Sequence, residues 1–284
     1  MSRFQVFAAE AKSILSPTSG FIAEAGFSHS LTPARNCTFA CTYCYVPTMR
    51  VYGGLKREDW ERWGQFTTAK TNAPELLLDE LGGHQIVYCS PLVDPYQPAE
   101  AALQLMPRVL ASLLARPPKI LVIQTRGLLI LRDVEKLKAL SRHCRVRVSF
   151  SLTTDREDVR RLFEPHCATF EERLSAIEQL NANGIETYST LAPLLPSNLE
   201  TFAERALEAS GRDLIGDPLH VRQVKRHGAT TREAAYRIAE RHGFARWFDP
   251  EFQNEASARI GAIAERAGRN FATGTEGFSW LASF

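Results

Sequence analysis

Six short apolar runs, each closed by a polar or glycine-rich turn, alternate with helical patterns along this chain, and that alternation narrows the fold more than any other feature. The runs at 27–31, 85–89, 119–125, 145–152, 185–191 and 219–224 read as strands. Segments around 74–81, 99–114, 133–143, 169–183 and 199–210 read as helices between them. Strands that alternate with helices pair in parallel, because each crossover helix returns the chain to the same sheet. Asn183-Gly184 gives the fourth helix its stop, since glycine enters the left-handed conformation without a Cβ clash. The count of strands is two short of a closed eight-stranded barrel. After about residue 228 the pattern becomes two helices, near 231–242 and 249–267, and then a glycine-rich tail from Ala272 to Trp280 that is expected to pack over one barrel end. The expected division is an N-terminal extension at 1–26, a barrel at 27–228 and a helical extension at 229–284.

Within this fold class the cysteines carry the chemistry. Cys37-Thr-Phe-Ala-Cys41-Thr-Tyr-Cys44 packs three thiols into one short loop. Thiolates are soft ligands that suit zinc, copper(I) or iron–sulfur clusters. A closed zinc site needs a fourth ligand, for which His29 or Cys89 would have to serve, so a zinc-stabilised, non-enzymatic binding module stands as one alternative. The remaining cysteines, Cys89, Cys144 and Cys167, are scattered singly, unlike the dense frameworks of small disulfide-bonded domains, which points to a reducing compartment. At 284 residues and 44% hydrophobic composition the chain can bury a large core, and its net charge of +2 leaves any polyanion contact to a local patch. No signal-peptide core and no run of about 18 uncharged apolar residues occurs, so a cytoplasmic location with no membrane contact is expected.

The C-x3-C-x2-C spacing, with Tyr43 just before the last cysteine, resembles the radical S-adenosylmethionine (SAM) superfamily. That resemblance implies an open (β/α)6 partial TIM-type barrel with the C-terminal helical extension packed on it. It also implies a [4Fe-4S] cluster on Cys37, Cys41 and Cys44, whose open iron binds SAM, and an external reductant such as flavodoxin or ferredoxin. The activity implied is reductive cleavage of SAM to a 5′-deoxyadenosyl radical that abstracts hydrogen from a substrate, with Tyr43 packed near the adenine. Tyr45, the run from Asp94 to Glu100, and Glu164-Pro165 followed by Glu172-Arg173-Leu174 resemble the spore photoproduct lyase-like branch over roughly residues 11 to 200.

Reactive groups of parallel barrels sit at the C-terminal ends of strands. Ser90 and Asp94 lie in the proline-rich loop after the second strand, and the resemblance gives them the SAM amino group; an Asx-type turn at Asp94-Pro95 is the structural alternative. Arg126 closes the third strand with a fork suited to the SAM carboxylate. Ser151, and more weakly Ser149 and Thr153, place hydroxyls on one face of the fourth strand, where they would hold the SAM ribose or simply bond to backbone. Cys89, with Tyr45 beside the cluster loop, could return a hydrogen atom to a substrate radical, but a single cysteine ending an apolar strand also reads as a small buried hydrophobe. Glu164 and Arg173 read as an ion pair across a helix start. The dispersed histidines take no role. Arg222-Gln-Val-Lys225-Arg226-His227 is the most basic stretch. The substrate stays open among small metabolite, nucleoside and peptide, with repair of a thymine photolesion in DNA as the alternative that would need such a basic cradle.

Overall fold

A computed structural model of the chain describes residues 4–48, 61–219 and 231–283. In chain order its strands are β1 (Gln5–Ala9), β2 (Leu15–Pro17), β3 (His29–Leu31), β4 (Ala34–Arg35), β5 (Phe66–Lys70), β6 (Ile86–Cys89), β7 (Ile120–Thr125), β8 (Arg145–Leu152), β9 (Glu186–Leu191), β10 (Leu214–Gly216) and β11 (Phe271–Thr273). The helices are α1 (Gly20–Glu24), α2 (Ala73–Glu80), α3 (Glu100–Leu103), α4 (Leu105–Ala115), α5 (Val134–Ser141), α6 (Glu157–Phe163), α7 (Phe170–Ala182), α8 (Leu199–Ser210), α9 (Glu233–Arg241), α10 (Pro250–Arg266) and α11 (Gly274–Ala282).

The larger sheet runs β11-β10-β9-β8-β7-β6-β3-β2. Every neighbouring pair from β3 to β11 is parallel, and β2 adds an antiparallel edge. The ends do not meet, which makes this an open, partial barrel. Alternation along each strand sorts side chains between two cores. Leu121 and Ile123 of β7, with Val146, Val148 and Phe150 of β8, face the outer helices and pack with Leu105, Val109, Leu137 and Ile177. Ile120, Val122, Tyr88 and Ile215 face inward and meet Phe278 and Leu281 of α11. Each such side chain, fully buried, contributes about 1.5–3 kcal/mol. Arg147, near the start of β8, donates to the carbonyls of Leu281 at 2.7 Å and Ser283 at 2.6 Å, which fixes α11 across the interior near the strand starts.

Two features depart from the sequence reading. The strand beside β9 is β10 at Leu214–Gly216, not a strand beginning at Leu219; Leu219 sits in the following loop, with its N–H donating to Gln253 Oε1 at 2.9 Å. The rest of that expected strand, and the basic stretch from Arg222 to His227, lie outside the described residues. Gly216 explains the register: a Cβ there would stand 2.5 Å from the Phe271 ring, so only glycine lets the tail approach as β11. The tail therefore extends the sheet as well as plugging it. The second departure is a small sheet of order β1-β5-β4, whose β4 leads directly into the cysteine loop.

Candidate active site

The cysteine loop begins one residue after β4 and is tied down on several sides. The Thr67 hydroxyl of β5 reaches the carbonyls of Arg35 and Asn36, each at 3.0 Å. Gln97, in the loop after β6, accepts from the Thr38 N–H at 2.8 Å and donates to the Asn36 carbonyl at 3.2 Å. The Thr42 N–H donates to the Phe163 carbonyl at 2.9 Å, which binds the loop to the end of α6. Asn36 and Ala40 adopt left-handed backbone with φ of 60° and 58°. Gly64 accommodates that bend, because a Cβ there would lie 2.4 Å from the Ala40 Cβ. Around Cys37, Cys41 and Cys44 stand Phe39, Val46, Val93, Phe163 and Leu195, an apolar wall.

These surroundings separate the three thiols electrostatically. A hydrogen bond from Cys167, aided by the Arg126 guanidinium, holds the Cys41 thiol below its ordinary range against the effect of burial. Burial and the neighbouring Cys41 push Cys44 up to about 12, and burial pushes Cys37 up as well. Arg126 Nη1 also approaches Cys41 Sγ at 3.5 Å. Cys41 is thus the loop thiol most readily ionised.

Behind Cys41 lies a network that the sequence showed only in part. Glu164, fully buried, accepts from the Tyr43 hydroxyl and is ion-paired with both Arg126 and Arg173. Burial alone would raise its carboxyl; Arg173 and Arg126 reverse that and hold it at about 2. Arg173 and Glu164 do pair across a helix start, and in doing so they also position Arg126 and Tyr43. The Arg126 backbone N–H donates to Asp94 Oδ2 at 2.8 Å, and Asp94 Oδ1 accepts from the Thr125 hydroxyl at 2.6 Å and the Tyr96 N–H at 2.9 Å. Asp94 therefore makes the Asx-type turn and clamps the ends of β6 and β7 together.

Inward-facing positions hold the other candidates. Ser90 is buried and donates to the Thr32 hydroxyl at 3.2 Å. Ser149 exchanges a hydrogen bond with Thr190 at 2.7 Å. Ser151 Oγ and Thr153 Oγ1, at the end of β8, are buried with no hydrogen-bond partner among the described residues, and the same holds for both amide atoms of Asn36 beside Cys37. Leaving a buried polar group unpaired costs about 1–3 kcal/mol, so these atoms fit a polar ligand.

Cys89 is a correction. It alternates with Tyr88, and its thiol packs in the outer core with Leu31, Val87 and Ile123 rather than facing the interior. The Tyr45 hydroxyl donates to the Pro91 carbonyl at 3.0 Å, bracing the loop after β6. Replacing Cys89 by Ala is expected to cost about 1 kcal/mol in stability and to leave SAM cleavage and product distribution as in the parent. Anaerobic turnover alongside a thermal melt checks this; a stalled substrate product with intact SAM cleavage would return the thiol to the chemistry. His29 is likewise remote, its ionisation lowered by burial and by His84 near the strand start. Asn36 drew no role in the sequence, and Cys167 stood there only among the scattered cysteines, because nothing local joins it to Cys41.

A partial barrel with three cysteines in one loop at its mouth defines a class. The family model of the radical SAM superfamily matches residues 31–208, and this protein belongs to that superfamily. It is an enzyme that uses a [4Fe-4S] cluster and SAM, which removes the zinc-module alternative. The uncharacterized protein MJ0683 of Methanocaldococcus jannaschii is 26% identical over 200 residues, covering 70% of this chain and 71% of that protein. The uncharacterized protein Rv2578c of Mycobacterium tuberculosis is 28% identical over 177 residues, 60% of this chain and 50% of its own length. A cysteine-to-serine mutant of spore photoproduct lyase superposes with a TM-score of 0.64 at 13% identity, covering 94% of this chain and 81% of that one. A double mutant of the same lyase, with bound AdoMet and dinucleoside spore photoproduct, gives 0.62 over the same coverage. At this identity the likeness is one of fold. No helix among the described residues is long and apolar enough to cross a membrane.

Proposed function

We propose that this enzyme holds its cluster on Cys37, Cys41 and Cys44, binds SAM across Arg126 and the end of β8, and abstracts hydrogen from a small metabolite, nucleoside or peptide. When bound, the cluster and SAM together supply the hydrogen-abstracting chemistry. The observation that carries the reading is the pair of unpartnered hydroxyls, Ser151 and Thr153, at the same strand ends as Arg126. Arg126 is fixed through Nη1 by Glu164 and Tyr43, so its remaining N–H groups are pre-set for the SAM carboxylate. Ser151 and Thr153 are the acceptors and donors for the ribose, and Ser90 faces the same interior. Phe39, Val93 and Leu195 keep water from the reacting centre.

Tyr236 and Ala239 of α9, together with Phe248, pack in the same apolar cluster as Tyr43, Phe163 and Val159. This apolar packing beside the cysteine loop supports a small substrate over a base extruded from a duplex, which would call for a basic cradle. Dithionite and SAM are expected to yield 5′-deoxyadenosine from the reconstituted protein. Arg126→Ala should weaken SAM binding at least tenfold, since truncating one partner of a buried charge pair costs about 2–5 kcal/mol; unchanged affinity and yield would place the SAM carboxylate elsewhere. Electrophoretic shift against duplex DNA at two salt concentrations tests the substrate class. No salt-sensitive shift is expected, and a shift that weakens steeply with salt would favour the photolesion-repair reading.

A further inference from the structure

Cys167 lies outside the cysteine loop, yet its thiol reaches the loop's middle member. The Sγ atoms of Cys41 and Cys167 and a carboxylate oxygen of Glu164 lie within 4.8 Å of one another. Both thiols are free and buried, at 8% and 6% exposure. A single metal ion would need the carboxylate as its third ligand, but Glu164 is already engaged by Arg126, Arg173 and the Tyr43 hydroxyl. Drawing it away would strand two buried guanidinium groups, a strongly unfavourable exchange. The two sulfurs meet no such conflict.

The geometry points to a reversible Cys41–Cys167 disulfide in the cluster-free protein, a resting form that shields a cluster ligand from over-oxidation; it rests on the reading of Cys41 as a ligand. The two sulfurs, within 4.8 Å of one another, would close to a bond of about 2.05 Å between two anchored backbones. They are held in place: the Thr42 N–H donates to the Phe163 carbonyl at 2.9 Å and the Cys167 N–H to the Glu164 carbonyl at 3.1 Å. The Cys167 sulfur lies within 4.8 Å of the Cys41 sulfur, which makes Cys167 the resolving partner. Hydrogen peroxide is the oxidant. The Cys41 sulfur attacks one peroxide oxygen, giving a sulfenic acid and water; the Cys167 sulfur then displaces the sulfenic hydroxyl, which leaves as a second water. Two thiol hydrogens and one peroxide become two waters, and a dithiol reductant reverses the bond. Without Cys167 the sulfenic acid advances to the irreversible sulfinic and sulfonic acids.

The test uses the full chain, stripped of iron by a chelator without oxygen, treated with equimolar hydrogen peroxide, alkylated and digested without reduction. The expected result is a peptide pair linking Cys41 to Cys167, loss of one pair of alkylatable thiols, and iron loading that returns to the untreated level after dithiothreitol. Cys167→Ala protein should instead carry sulfinic or sulfonic acid on Cys41 and regain several-fold less iron. Full alkylation of Cys167 in the treated parent chain, or a bond from Cys41 to Cys37 or Cys44, overturns the proposal. Should Cys167→Ala not fold, the peptide map of the parent decides alone. Iron content of untreated Cys41→Ala protein tests the ligand reading separately, so the two can fail independently.

Discussion

Cys41→Ala protein, reconstituted with iron and sulfide under anaerobic conditions, is expected to retain roughly a tenth or less of the parent's iron and to form no 5′-deoxyadenosine. On the proposed assignment, loss of Cys41 removes a bond to the cluster, and altering even supporting residues around a metal commonly costs about 10–100-fold. Cys41 is the sharpest of the three to test. Its sulfur is the one approached by both Arg126 and Cys167, so its replacement removes the ligand and leaves the Glu164 network in place. Iron counting by colorimetry, with a deoxyadenosine assay on the same sample, gives the answer; full iron loading would sink the assignment of the cluster to this loop.

Glu164→Ala should be the most damaging change away from the cysteines. It leaves Arg126 and Arg173 as buried, uncompensated cations, and breaking a buried pair in this way costs about 3–5 kcal/mol. For a chain of this size that lowers the melting temperature by roughly 10 °C. Glu164→Gln, which keeps the shape and an acceptor, should lose less. The same carboxylate gives stability a pH signature. Its folded pKa of about 2 lies below the ordinary 4.5, so its contribution, roughly 3 kcal/mol, is fully present above about pH 5 and is lost as pH falls toward 2. Melting temperatures across pH 3 to 7 should show that decline in the parent and a flatter profile in Glu164→Gln. Equal slopes would mean that other carboxylates carry the acid sensitivity.

The alternation of apolar runs with helices was enough to give a parallel α/β sheet, because period-2 and period-3.6 patterns are local and survive in one dimension. The cysteine loop was legible for the same reason: three cysteines within a few residues need no tertiary structure to be seen. Short strands were not. β10 and β11 span three residues each, too few for a period, and their pairing depends on Gly216 meeting Phe271 across the sheet. β5 was hidden because its partners, β1 and β4, are equally irregular.

What the sequence alone determined is therefore the fold class and the gathering of three thiols in one loop. What only the tertiary structure decided is which distant groups act on them. Tyr43 and Glu164 are 121 positions apart, yet one hydrogen bond joins them, and Cys167 reaches Cys41 from the same distant segment. At Tyr88 and Cys89 the decision turns on a single residue of strand register, since adjacent side chains on a strand point to opposite faces. The tyrosine falls inside the barrel beside Phe278 and the thiol falls among the helices, because the helices bury the face that carries Val87 and Ile123.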